Sequence, residues 1–149
     1  MADTITQKFE ELVLEFEDPA NPNTYIRICG LIDIEVTRTA EIDTIEVPKD
    51  CTDESLPLSR EKSVRSIDVS VSGTGVWAQQ SQGILDEWFY SSLGYNIRIQ
   101  NVNAASGATE YESGSAFLTS FTNSRTKGQK IAASISIEFD GTPTRTAKP

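Results

Sequence analysis

Apolar and polar residues alternate with period two through nearly all of this 149-residue chain, and one stretch, Ala78 to Leu93, departs from the pattern at helical spacing. Period two sets one face of a strand against a core and the other in water. One helix among many strands restricts the chain to a mainly β, α+β class. The expected architecture is an antiparallel β-sandwich or partly open barrel with one flanking α-helix, formed as a single domain over residues 1–149.

The individual strands follow from the same rule. Leu12, Leu14 and Phe16 share one face, with Glu11, Glu15 and Glu17 opposite. Ile32, Ile34 and Val36 point inward and Asp33, Glu35 and Thr37 outward, with Gly30 marking a bend or bulge. Phe117, Thr119 and Phe121 are expected on one face, and Ala116 and Leu118 on the other. Ile131, Ala133, Ile135, Ile137 and Phe139 form the longest strict alternation. In the helix, Ile84, Leu85, Trp88 and Phe89 join Trp77 and Leu93 in an apolar stripe read as core, and Gly94 is read as the cap.

Between these regular segments lies a long acidic stretch, Thr39 to Lys62. From Glu41 to Glu54 it holds six acidic residues and a single lysine. A connection of about 20 residues exceeds what a compact domain ordinarily needs. It is either a solvated loop or an arm, loop or hairpin in form, that orders against a neighbouring subunit. Ile42, Ile45, Val47, Leu56 and Leu58 are its apolar residues and the candidate subunit-interface positions. The tail, residues 142–149, has no acids and is expected to lie free or on a partner.

Charge and composition exclude several functions. With 13 Lys and Arg against 22 Asp and Glu, the net charge is −9. Such a surface repels phosphates, which argues against a DNA reader but not against a protein that lets DNA slide past. The chain has no histidine, so Ser-His-Asp and Cys-His catalysis are out. Two separated cysteines, Cys29 and Cys51, point to free thiols and not to a zinc site. Gly73-Thr74-Gly75-Val76-Trp77-Ala78 matches a dinucleotide fingerprint only formally. The next strand alternates, and no acid stands where a ribose would need one. Asp50, Asp53 and Glu54 lack the spacing and central glycine of a calcium loop. No enzyme activity, cofactor, metal or catalytic residue is expected. The N-terminus lacks a signal peptide and no apolar run approaches a membrane span, so a cytosolic origin without membrane contact is expected.

Strands, a long loop after the third, a strand from Ser63 to Val71, one helix, then three strands ending in Ser134-Ile135-Ser136-Ile137-Glu138-Phe139-Asp140-Gly141 resemble the phage major tail tube protein family. The resemblance covers most of the chain and is strongest from Ser63 to Gly141. It implies a small β-sandwich with a flanking helix, forming hexameric rings that stack into the phage tail tube, a conduit for DNA ejection. The Thr39 to Lys62 arm would reach a neighbouring ring. DNA would pass through without specific binding. Other tail proteins such as a tape measure would be partners, and the sequence leaves open whether a sheath is one too. The place of action would be the virion tail, assembled in the host cytoplasm.

Two alternatives stay open on the sequence. One is another ring-forming tail component of related fold, such as a terminator ring. The other is a monomeric β-sandwich module that holds a ligand with the long loop and stays near 16.4 kDa.

Overall fold

The computed structural model describes residues 3–4 and 6–149. After a short 3-10 turn come β1 (Leu12–Glu17), β2 (Tyr25–Arg27), β3 (Leu31–Val47) and β4 (Ser59–Val76). The helix α1 (Gln79–Ser91) separates these from β5 (Tyr95–Asn101), β6 (Thr109–Ser124), β7 (Ala132–Phe139) and β8 (Thr144–Ala147). All strands join one open antiparallel sheet in the order β2-β1-β5-β6-β7-β4-β3, with β8 also on β6.

The alternation becomes rows across this sheet. On the core side of β3-β4-β7-β6 run Ile34, Gly73, Ile135, Phe121 and then Val36, Val71, Ile137, Leu118. The sheet curls so that these meet Leu14 and Phe16 of β1 and Ile97 and Ile99 of β5 in one core. The helix closes that core with Leu85 and Trp88, and Trp88 stacks on Tyr95 at 5.4 Å.

Three bulges in the β3-β4-β7-β6 part of the sheet shift the faces. Ile32 is the extra residue between Leu31 and Asp33, so Leu31 packs against the core and Ile32 is exposed. Thr119 is the extra residue between Leu118 and Ser120. That insertion inverts parity, so Phe121 joins Ala116 and Leu118 on the core side while Phe117 stays outside. The third lies at Arg65 on the outer part of β4.

The helix stripe is narrower than the sequence suggests. Phe89 and Leu93 are exposed, and the apolar residues of α1 that face inward are Leu85, Trp88 and half-buried Ile84. The left-handed residue that ends α1 is Ser92, at φ 60°, and not Gly94. The Ser91 hydroxyl donates to the Trp88 carbonyl and accepts from the Leu93 N–H, so it satisfies groups that the end of a helix leaves without an intrahelical partner. The tail, too, departs from expectation. Pro143 is buried and Thr144–Ala147 pairs with Thr109–Ser113 of its own β6. The residues from Thr109 to Ser113 would otherwise leave an unpaired edge on that side.

Candidate assembly surfaces

The acidic stretch of the sequence is a β-hairpin arm. Before Ser70, β4 pairs only with β3 among the described residues, and the two strands run as a ribbon from Arg38 and Val69 to Val47 and Ser59. Ten residues of strand extend it about 30 Å. Residues 48–58 form the tip. There Asp50 accepts from the Thr52 N–H and hydroxyl, and Asp53 from those of Ser55. These donors stabilise the carboxylates and hold both below the usual Asp range.

The register divides the five candidate interface residues. Ile42 lies opposite Val64 on the face that continues the core side, next to the pair Ala40 and Ile67. Ile45 and Val47 lie on the other face, opposite Glu61 and Ser59. Leu56 and Leu58 stand at the tip, exposed. The arm therefore brings Ile42 together with Val64 and Ile67, and separates it from the other four. Val64 and Ile67 are also exposed, although in the sequence their alternation with Val69 and Val71 reads as an ordinary core-facing strand.

At the body end of the same two strands, β3 and β4 come into close backbone contact. A Cβ on Gly75 would fall on the Gly30 carbonyl oxygen and 2.8 Å from the Ile32 nitrogen. The fingerprint glycines Gly73 and Gly75 thus sit within β4, where they let β3 approach, and no phosphate loop forms.

Opposite the core, the layer β3-β4-β7-β6 carries three polar rows. They read Asp33, Thr74, Ser134, Thr122; then Glu35, Ser72, Ser136, Ser120; then Thr37, Ser70, Glu138, Phe117. On the arm the same face continues through Thr39 and Asp68, Glu41 and Ser66, Asp43 and Ser63. No lysine or arginine occurs in any of these rows or pairs. Apart from Phe117 the arrangement offers carboxylates and hydroxyls, and no cation to pair with a phosphate.

The rest of that outer surface, on β2-β1-β5, is built differently. Glu15, expected in solvent, is buried and lies 3.5 Å from Arg98. The guanidinium is flanked by the Tyr25 and Tyr111 rings at 4.2 and 5.1 Å. A buried carboxylate needs such a partner. The cluster is a polar clamp between β1, β2, β5 and β6. Among the described residues no three His, Cys, Asp or Glu side chains gather as metal ligands, and no helix is long and apolar enough to cross a membrane.

Similar architecture occurs in solved tail structures. The tail of an empty gene transfer agent particle, refined with C6 symmetry, superposes with a TM-score of 0.78 at 14% identity, covering 95% of this chain and 100% of that one. The SPP1 tail tube gives 0.63 at 12% identity, over 93% of this chain and 78% of that one. A chain of the anti-feeding prophage baseplate, six-fold symmetrised, gives 0.66 at 12% identity over 99% and 98%. These likenesses establish the fold. No curated protein matches by sequence. The model of the family described as phage tail tube protein matches residues 6–145, which is nearly the whole chain, so this protein belongs to that family and is a structural component of the virion tail.

Proposed function

We propose that this chain folds as one domain, assembles into hexameric rings, and that the rings stack into a tube through which DNA leaves the particle. The observation that carries the reading is the cation-free face of β3-β4-β7-β6. A wall for a polyanion must neither bind it nor be apolar, and rows of hydroxyls and carboxylates meet both demands.

The edges of the same layer supply a way to close a ring. Among the described residues β3 pairs only with β4, and β6 beyond Ala116 pairs only with β7. One subunit therefore offers two different unpaired edges at opposite ends of one layer. Joining unlike edges is a heterologous contact, which closes into a ring when the rotation fits. It also satisfies backbone groups that would otherwise invite aggregation. Six-fold symmetry is the symmetry of the gene transfer agent tail that this chain resembles. The arm then links one ring to the next, with Ile42, Ile45, Val47, Leu56 and Leu58 among its contacts. A tape measure protein would occupy the lumen before DNA does.

Negative-stain microscopy of the purified protein tests the reading. Stacked rings with six-fold end views are expected, and a species near 16.4 kDa at every concentration would overturn it. The conduit role has its own test. Tubes carrying Glu35→Lys and Ser136→Lys should retain added DNA where wild-type tubes do not. Equal retention would remove the argument from the wall.

A further inference from the structure

We propose that the core-side face of the arm docks on the exposed face of α1 of a second copy in the adjoining ring, a contact that rests on the tube reading above. A two-stranded ribbon is at best marginally stable in water, so the arm calls for a cover. Its core-side face carries Ile42, Val64 and Ile67, which are 50%, 57% and 44% exposed. Toward the tip the same face carries Lys62, opposite Thr44, and Arg60, opposite Glu46. Lys62 makes no ion pair among the described residues, and Arg60 reaches only the exposed Glu46 at 3.6 Å. The face is apolar at its base and basic further out.

The helix presents the converse. Its outer side exposes Tyr90 at 80% and Leu93 just beyond its end at 65%. The Tyr90 ring meets Phe89 edge to face at 5.3 Å, which makes a fixed aromatic step. Asp86 and Glu87 stand beside this step, and α1 contains no lysine or arginine. An acidic aromatic surface and a basic aliphatic one of this kind are complementary, and both belong to one chain.

Charge also selects which face of the arm seats. The opposite face carries Glu41, Asp43, Glu61 and Asp68, which Asp86 and Glu87 would repel. Only the core-side face joins apolar cover with cations. A different tail protein seated on α1 would leave the arm without this partner, and the test separates the two.

The test uses the full chain. Arg60→Glu with Lys62→Glu should reduce pelletable tubes at least tenfold, and adding Asp86→Lys with Glu87→Lys should restore them. In a second arm, with Cys29→Ser and Cys51→Ser, tubes mixed from Val64→Cys and Tyr90→Cys chains should give covalent dimers on mild oxidation. Undiminished assembly of the charge-reversed chain would overturn the contact, as would assembled tubes that yield no dimer. A wild-type chain that forms no tubes would instead overturn the reading on which this one rests.

Discussion

Arg38 on β3 and Glu112 on β6 are joined by two side-chain hydrogen bonds, of 2.5 and 3.3 Å, although β7 and β4 lie between their strands in the sheet. The pair therefore spans the curl of the sheet and ties its two layers together beside the root of the arm. Glu112 is partly buried and Arg38 is half exposed, at 14% and 53%. Glu112→Gln is expected to cost about 1 kcal/mol, since solvent screens the exposed partner. The melting temperature should fall by about 3 °C. A double-mutant cycle with Arg38→Ala that gives no coupling would show that the bridge adds nothing.

Trp88 fills the core under α1 and is 1% exposed, whereas Tyr90 two residues on is 80% exposed. Trp88→Ala should destabilise the monomer by about 3–5 kcal/mol. Tyr90→Ala should stay within about 0.5 kcal/mol of wild type. Urea unfolding under monomeric conditions measures both, and similar losses for the two would contradict the orientation of the helix.

Gly75 meets Gly30 backbone to backbone, and Gly30 itself sits at φ +90°. Gly75→Ala forces β3 away from β4 and is expected to cost about 1–3 kcal/mol. Gly83, on α1 with open space around it, is the control, and its alanine variant should not destabilise. A thermal shift for Gly75→Ala as small as that of the control would refute the close approach.

Two tyrosines are expected to lower stability at alkaline pH. Burial, then the charge of Glu17, raises the Tyr25 phenol above the ordinary 10.0, while Arg98 acts in the opposite sense. Burial, then Glu87, raises Tyr95. A group whose folded pKa is raised contributes stability that is complete below the unfolded value and lost as pH rises through the folded one. Stability should therefore decline above about pH 10. Tyr25→Phe should soften that decline, and an unaltered pH profile would assign it elsewhere.

An arm shortened in register keeps the body intact. Removing Ala40 to Ile67 leaves Thr39 opposite Asp68, already paired, for a short Gly and Ser turn to join. A deletion of Thr39 to Lys62 would instead leave Arg38 facing Ser63, far from its partner Val69. The register-matched variant should remain folded by circular dichroism and form no long tubes. Tubes of normal length would show that the arm is not the link.

The class of fold was legible because alternation is a local signal, and strand β7 repeats it without interruption from Ala132 to Phe139. Bulges are not local in that sense. Nothing around Thr119 marks it as the extra residue, and only pairing with β7 moves Phe121 to the core, where it stacks on Trp77 at 5.0 Å. Glu15 was misread for a related reason. A carboxylate on a strand face reads as solvent-exposed until Arg98, 83 positions away, is found beside it. The arm was legible as an insert through its acids and apolar residues. Its division into two chemically opposite faces depended on register, which the sequence alone does not state.

The three polar rows on β3-β4-β7-β6 bear on mechanics as well as on affinity. Were these rows to line a closed tube, as proposed, a passing strand would find no fixed positive stations along them, only a hydrated surface with mobile counterions. Its drag would come from the viscosity of that water layer and not from breaking one ion pair after another. Passage would then be a smooth slide whose speed follows the driving pressure and takes no account of base sequence.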